Sequence, residues 1–339
     1  MKRIITTLIL CVTLGMPLPL PAEEIVINAV GDVMLAGRWA PAIREKGYEI
    51  PFNGVVSELK AADITIANLE SPIASSGTEF SGKKFRFRAE PALAGALKNS
   101  GINLVTLANN HSMDFGAAAL AETLRHLEKA GITSVGAGEN LAAARKMSLY
   151  TIRGKKVAFL GYSLTQPTEF FAGSSRPGTA PGFEKIYSED IRLARQEADF
   201  VIVSFHWGTE GKKITQPYQR TAAHKAIDAG ADVIIGHHPH VLRGIERYKT
   251  GIVFYSLGNF TFASKGRSAD TSAMLRLRLG DGKREAELLP LDINYRRVGF
   301  QPQFQTGERA AAVIRQLNML SKPLNTEIQI KDGRYLVTF

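Results

Sequence analysis

The sequence predicts an α/β fold, and three observations lead there. Short β-branched runs recur along the chain, helical patterns lie between them, and most of the runs are continuously apolar. Continuous apolarity marks strands covered on both faces, and alternation of strand with helix gives right-handed crossovers between parallel strands.

The candidate strands are residues 24–30, 63–67, 103–107, 157–161, 200–204, 232–235 and 252–255. The candidate helices are 91–100, 117–130, 188–197 and 221–229, three of which stop at Gly101, Gly131 and Gly230 in the C-cap position. From Thr271 the pattern changes to a hairpin, 271–279 and 285–293, turning at Gly280-Asp281-Gly282. A helix over 308–320 and a last hairpin, 327–330 and 334–339 around Asp332-Gly333, complete the chain. The Ser-, Pro- and Gly-containing stretch 173–182 reads as a mobile surface loop. The basic run 83–88, in which Phe85 and Phe87 alternate with Lys and Arg, reads as an edge strand with one wet face or as a polyanion-binding strip.

The first residues, Met1-Lys2-Arg3, precede an uncharged run over 4–16 and a Pro-rich stretch ending at Pro21-Ala22. This pattern predicts a secretory signal over residues 1–22 and an exported, periplasmic or cell-envelope protein. The run is shorter than the ~20 residues of a spanning helix, and Pro17, Pro19 and Pro21 break any extension of it. Cys11, the single cysteine, falls in this segment, so the exported part has no disulfide and no thiolate ligand. Any metal there is held by His, Asp, Glu or Asn. Removing Lys2 and Arg3 leaves 40 basic against 32 acidic residues, a formal +8 that favours anionic partners. On this reading residues 23–298 form the main domain and 299–339 a helix-and-hairpin extension packed on it.

Polar residues fall just past the carboxyl ends of the candidate strands, the edge at which open α/β sheets build their sites. Asp32 follows the first strand; Asn68 and Glu70 the second; Asn109, Asn110 and His111 the third. His206 and Trp207 follow 200–204, His237, His238 and His240 follow 232–235, and Asn259 follows 252–255. Asp, Glu, Asn and His suit a borderline or hard divalent ion, and two ions sharing a carboxylate would clamp and polarise a phosphate. Taken singly, several of these residues have plain structural readings: Asp32 as a turn residue, Asn109 to His111 as a helix cap, His206 as a satisfied half-buried histidine. Three of the seven histidines within four residues, 237–240, have few structural reasons to be there. His126 and His224 fall within helical patterns and read as helix-face residues.

In order, Gly31-Asp32-Val33-Met34, Asn68-Leu69-Glu70-Ser71-Pro72, Ala108-Asn109-Asn110-His111-Ser112-Met113-Asp114-Phe115-Gly116, His206-Trp207-Gly208, Gly236-His237-His238-Pro239-His240 and Tyr255-Ser256-Leu257-Gly258-Asn259-Phe260 resemble the CapA family of bacterial capsule synthesis proteins over about residues 25–262. The resemblance implies a role in synthesis or export of poly-γ-glutamate capsule. Through the related calcineurin-like metallophosphoesterases it also implies a four-layer α/β/β/α sandwich, here with a short C-terminal α+β extension. It further implies one or two divalent ions, with Asp32 and His240 on the first, Glu70 bridging, and Asn110, His206 and His238 on the second. His111 is then the general acid. The chain departs from the broader superfamily at Met34, where a histidine is usual, and at Glu70, where an aspartate is usual.

Asn109, Arg38, Trp207, His237 and Asn259 are the candidate substrate contacts. The expected partner is an anionic polymer or phosphoester, with a membrane capsule-synthesis complex as a further partner and no nucleic-acid specificity. Three functions fit: a metal-dependent hydrolase acting on an envelope substrate, a noncatalytic metal-containing polymer-binding or assembly subunit, and a periplasmic nucleotidase or phosphodiesterase.

Overall fold

A computed structural model describes residues 24–262, 270–280 and 282–339. The signal-like segment 1–22 with Cys11, and Asp281 of the hairpin turn, lie outside the described residues. In chain order the first elements are β1 (Ile25–Met34), α1 (Ala40–Lys46), α2 (Val56–Lys60), β2 (Ile64–Leu69), α3 (Ala92–Asn99), β3 (Leu104–Thr106), α4 (Gly116–Lys129), β4 (Thr133–Val135), β5 (Ala137–Gly138) and α5 (Leu141–Arg145). There follow β6 (Ser148–Ile152), β7 (Lys155–Ser163), β8 (Gly178–Thr179), α6 (Glu184–Glu197), β9 (Phe200–His206), α7 (Pro217–Asp228), β10 (Val233–His237), β11 (Ile245–Tyr248), β12 (Gly251–Phe254) and β13 (Asn259–Phe262). The chain ends with β14 (Thr271–Gly280), β15 (Lys283–Asp292), α8 (Tyr295–Val298), β16 (Gln303–Phe304), α9 (Gly307–Ser321), β17 (Gln329–Lys331) and β18 (Arg334–Thr338).

Two large sheets carry the fold. One has ten strands, along the path β17-β18-β15-β14-β1-β2-β3-β4, with β13 also pairing β1 and β16 pairing β15. The other has six, in the order β11-β12-β10-β9-β7-β6. Their middles are parallel: β1 with β2, β2 with β3, β7 with β9, β9 with β10, and β10 with β12.

Because side chains alternate across a strand, each parallel strand feeds two cores. Ile25, Ile27, Ile64, Ile66 and Leu104 of the first sheet meet Val157, Phe159, Ile202, Val233 and Ile235 of the second in a core between the sheets. The opposite faces of the same strands are covered by helices. Val30, Ala67 and Val105 pack with Leu59, Leu93, Leu97, Leu120 and Leu127 from α2, α3 and α4. Ala158, Leu160, Val201, Val203 and Ile234 pack with Ile191, Ala194, Ala223 and Ala226 from α6 and α7. Helix, sheet, sheet, helix is the four-layer order, with three cores between the layers. Continuous apolar runs are the sequence trace of strands that serve two of them.

The C-terminal α+β extension closes this arrangement. β18 continues the ten-stranded sheet beyond β15, and Val313, Ile314 and Leu317 of α9 enter the core between the sheets. Ser321 at the end of α9 accepts the Ile245 N–H through Oγ at 2.9 Å, tying the helix to β11 of the other sheet. No helix among the described residues is long and apolar enough to cross a membrane.

Two local expectations are corrected. Residues 83–88 form no strand, since Lys83 turns inward. In 173–182 only the first half is surface loop. Gly178–Thr179 pairs antiparallel with β5, and residues 178–182 are buried, because the Ser163 and Ala172 N–H groups bond to the carbonyls of Ala180 and Thr179.

Leu317 is fully buried at the α9 wedge, so Leu317→Ala leaves a cavity between the sheets. Urea denaturation should show a loss of about 2–5 kcal/mol with an unchanged slope.

Candidate metal centre

The parallel strands of both sheets deliver their carboxyl ends to one seam. β1 changes neighbour on the way: Ile25 to Ala29 pair with β14, whereas Asp32 pairs with Asn259 at the start of β13. The register shift between these stretches re-aims Asp32. Glycine is required at 31, where a Cβ would lie 1.9 Å from the Gly258 carbonyl oxygen, and this close approach lets the Asp32 N–H bond to that oxygen at 3.0 Å. Asn68 and Glu70 arrive at the end of β2, Asn110 and His111 after β3, His206 at the end of β9, and His237 to His240 after β10. His238 and His240 have φ of 93° and 59°. Such conformations cost non-glycine residues about 1–3 kcal/mol each and concentrate at functional sites.

Asp32, Asn68 and Glu70 are completely buried, and His206 nearly so. The Asn68 amide donates to Asp32 Oδ1 at 2.8 Å and to Glu70 Oε2 at 3.2 Å. His240 Nδ1 lies 3.1 Å from Asp32 Oδ2 and 2.9 Å from Asn259 Oδ1. His206 Nε2 lies 2.7 Å from Asn110 Oδ1. Glu70 Oε1 is different: it is buried, has no hydrogen-bond partner, and lies 3.7 Å from both His206 Nε2 and His240 Nε2. His238 Nδ1 is likewise buried without a partner. Ligand atoms of Glu70, His206 and His238 lie within 4.8 Å of one another, as do those of Asp32, Glu70 and His240. Buried polar groups left unpaired are rare, and a carboxylate oxygen facing two imidazole nitrogens beyond hydrogen-bond reach fits a shared cation. The donor set, carboxylate, amide and imidazole without thiolate, is that of a divalent-metal site.

Charge in this seam is strongly redistributed. Burial pushes Glu70 well above the usual carboxylate range, and the charge of Asp32 adds to it. Burial acts the same way on Asp32, but the contacts and charges of His237 and His240 outweigh it and hold that carboxyl well below its ordinary value. Burial lowers His206, helped by the charge of His238, and brings His238 down to about 3. His240 runs the other way: against the effect of burial, the charge of Glu70 and the bond to Asp32 raise it to about 9.

Residues 26–264 match the family described as bacterial capsule synthesis protein PGA_cap. The chain belongs to this family. It is 32% identical to the capsule biosynthesis protein CapA of Bacillus anthracis over 279 residues, 80% of this chain and 68% of that one. It is also 32% identical to the PGA biosynthesis protein CapA of Bacillus subtilis over 309 residues, covering 90% and 80% of the two chains. Among solved structures it is similar to the NAD nucleotidase of Haemophilus influenzae, with a TM-score of 0.49, 14% identity, and 87% of this chain aligned to 63% of that one.

The family motifs therefore converge on one seam: Asp32, Glu70, Asn110, His206, His238 and His240 are brought together there, and His111 stands beside them. His237 is buried with Nδ1 3.2 Å from Asp32 Oδ1, and Asn259 supports His240, so both lie behind the candidate ligands. Two expected substrate contacts are placed otherwise. Trp207 is fully buried, stacked on Phe205 and Tyr255 with its indole N–H on the Tyr255 carbonyl, because it follows His206 on the opposite face of the chain. Asn109 is fully buried and spends its amide on Asn68 Oδ1, the Leu69 carbonyl and the His111 N–H, fixing the turn rather than facing the crevice. The Arg38 side chain lies outside the described residues. Met34 is buried in the apolar layer against the helices. His126 pairs with Glu122 on its own helix, and His224 stacks on Tyr248, as helix-face residues do.

The sequence pattern gives Asp114 and Lys83 no role beside His111; the structure does. His111 Nδ1 lies 2.6 Å from Asp114 Oδ2, which sets that nitrogen as the N–H and leaves Nε2 available for proton transfer. Lys83 Nζ bonds Asp114 Oδ1 at 2.6 Å, donates to the Asn110 carbonyl, and lies 3.1 Å from His111 Nδ1. Phe87 covers the His111 ring at 4.8 Å between centroids. Burial pushes the Lys83 ammonium down and that of the His111 imidazole with it, each opposed by Asp114. Lys83→Met leaves the buried Asp114 carboxylate with His111 and the Phe87 N–H on Oδ2 but takes the cation from Oδ1, and chemical denaturation should show a loss of about 3–5 kcal/mol.

Proposed function

We propose that this chain is an exported protein of poly-γ-glutamate capsule synthesis whose seam holds one or two divalent ions and hydrolyses an anionic envelope substrate, a phosphoester or the polyglutamate chain. The observation that carries the metal reading is Glu70 Oε1, buried, unpaired and equidistant from His206 Nε2 and His240 Nε2. The names of the Bacillus relatives support the capsule role, and the excess of basic residues suits an anionic substrate.

Asp32 and His240 would hold a first ion, Glu70 would bridge, and Asn110, His206 and His238 would hold a second. When bound, such an ion supplies Lewis acidity and charge neutralisation at the reacting centre. His111, oriented by Asp114, carries the proton to the leaving oxygen from Nε2. Asn68 keeps the two carboxylates in register, and Asn259 keeps His240 turned toward them. Met34 in the apolar layer leaves Asp32 with few companion ligands, and this favours a second reading, a metal-containing subunit that grips polymer without cleaving it.

Hydrolysis of phosphodiesters or γ-glutamyl amides by the purified protein should disappear on chelation and in His238→Ala, and His111→Ala should lower kcat by about 10²–10⁴-fold. If neither substrate class turns over with Mn, Zn, Fe, Mg or Ca, the hydrolase is refuted and the gripping subunit stands.

Metal uptake requires His240 neutral and Glu70 ionised. His240 is raised to about 9 and Glu70 is shifted upward too, so an incoming ion competes with protons at both groups. Mn²⁺ affinity measured by calorimetry should therefore rise with pH and level off as His240 deprotonates, with proton release seen as a dependence on buffer ionisation heat.

A further inference from the structure

We propose that Glu210 is a metal ligand of this centre, a carboxylate delivered from the solvent side onto His238 and His240. The proposal rests on the reading that the seam binds a divalent ion, and it adds a residue that lies outside the six expected ligands. One carboxylate oxygen of Glu210 and one nitrogen each of His238 and His240 lie within 4.8 Å of one another, a third three-ligand group overlapping the other two through its histidines. Two imidazoles and a carboxylate form a donor set well suited to first-row divalent ions.

Glu210 is set apart by its backbone, which is fastened to the histidine turn itself. The segment after His206 leaves the sheet as an arm, and each residue around Glu210 is pinned. The Gly208 N–H donates to Tyr218 Oη at 2.7 Å. The Gly211 N–H donates at 2.9 Å to the carbonyl of Pro239, the residue between His238 and His240, so the arm is fastened directly to the histidine turn. Arg243 completes the clamp from below, donating through Nε to the Lys212 carbonyl at 2.7 Å and through Nη2 to the Thr209 carbonyl at 3.0 Å. A third donor goes to Gln219 Oε1.

Arg243 is 1% exposed, and none of its hydrogen bonds among the described residues goes to a carboxylate. Burying a guanidinium without a counter-ion is costly, and simple packing is better served by an apolar side chain. What this cation accomplishes is geometric: it grips the carbonyls on both sides of Glu210 and sets the height of that side chain over the imidazoles. Glu210 is thus the solvent-exposed ligand, while Asp32 and Glu70 hold the buried side.

The test is Mn²⁺ titration of the chelator-stripped full chain by calorimetry, with electron paramagnetic resonance of the bound Mn²⁺ and no substrate present. Wild type, Glu210→Gln, Glu210→Asp, His238→Ala and the loop-charge control Lys213→Ala are compared. Glu210→Gln should weaken at least one Mn²⁺ site tenfold or more and change the resonance spectrum, Glu210→Asp should recover part of the affinity, and Lys213→Ala should bind as wild type does. Thermal melts in chelator should coincide for wild type and Glu210→Gln, because the side chain is exposed. Wild-type affinity, stoichiometry and spectrum in Glu210→Gln, with binding lost in His238→Ala, would overturn the assignment of Glu210 and leave the metal centre standing. Failure of wild type itself to bind Mn²⁺, Zn²⁺ or Fe²⁺ would instead overturn the metal reading, and Glu210 with it.

Discussion

Two carboxylates held completely out of bulk solvent are the constraint from which the rest of this structure follows. Asp32 and Glu70 come from adjacent strands, are both completely buried, and share the amide of Asn68 between them. Like charges at such range in a low-dielectric seam repel strongly, and one of the two is driven toward its neutral form unless positive charge is brought in. The second sheet brings it to Asp32: His240, raised to about 9, has Nδ1 3.1 Å from that carboxylate, while Glu70 is driven upward and faces His206 and His240 from the other side. The seam therefore couples the two sheets electrostatically, where the core beneath couples them by apolar contact.

That coupling explains where irregular backbone is tolerated. The break in β1 at Gly31, the close passage of the Gly258 carbonyl and the positive φ of His238 and His240 all occur at the seam. None of them improves packing. Each turns a polar atom toward the carboxylates, and the strain is held by two sheets joined through large apolar cores.

Much of this was legible in the sequence because one rule, polar residues just beyond apolar strands, picks out strand ends whatever sheet they belong to. Asp32, Glu70, Asn110, His206, His238 and His240 obey it. The division into two sheets was not readable from the runs themselves, since a strand buried on both faces looks alike in either sheet; it came through the family resemblance. Lys83 was obscured by its neighbours: the alternation of Phe85 and Phe87 with basic residues imitates an amphipathic strand, while the chain is a loop whose lysine plugs a buried carboxylate. A signal existed, as Asp114 lies three residues after His111 and a buried carboxylate needs a cation. Adjacency to His206 suggests a shared destination for Trp207, yet consecutive residues leaving a strand point to opposite faces. Glu210 stands outside any strand end, and only the fastening of Gly211 to Pro239 shows where it goes.

The pairing of β1 with β14 sets the order in which the molecule can assemble. Ile25 to Ala29 lie against Leu275 to Leu279, and Asn28 receives the Arg276 guanidinium across 248 positions of chain. The leading strand thus has one open edge until nearly the whole polypeptide has emerged, and loop closure over that span is entropically slow. Helices and local parallel pairs can form before that closure, and until β14 arrives the backbone groups along the outer edge of Ile25 to Ala29 stay without their ladder partners.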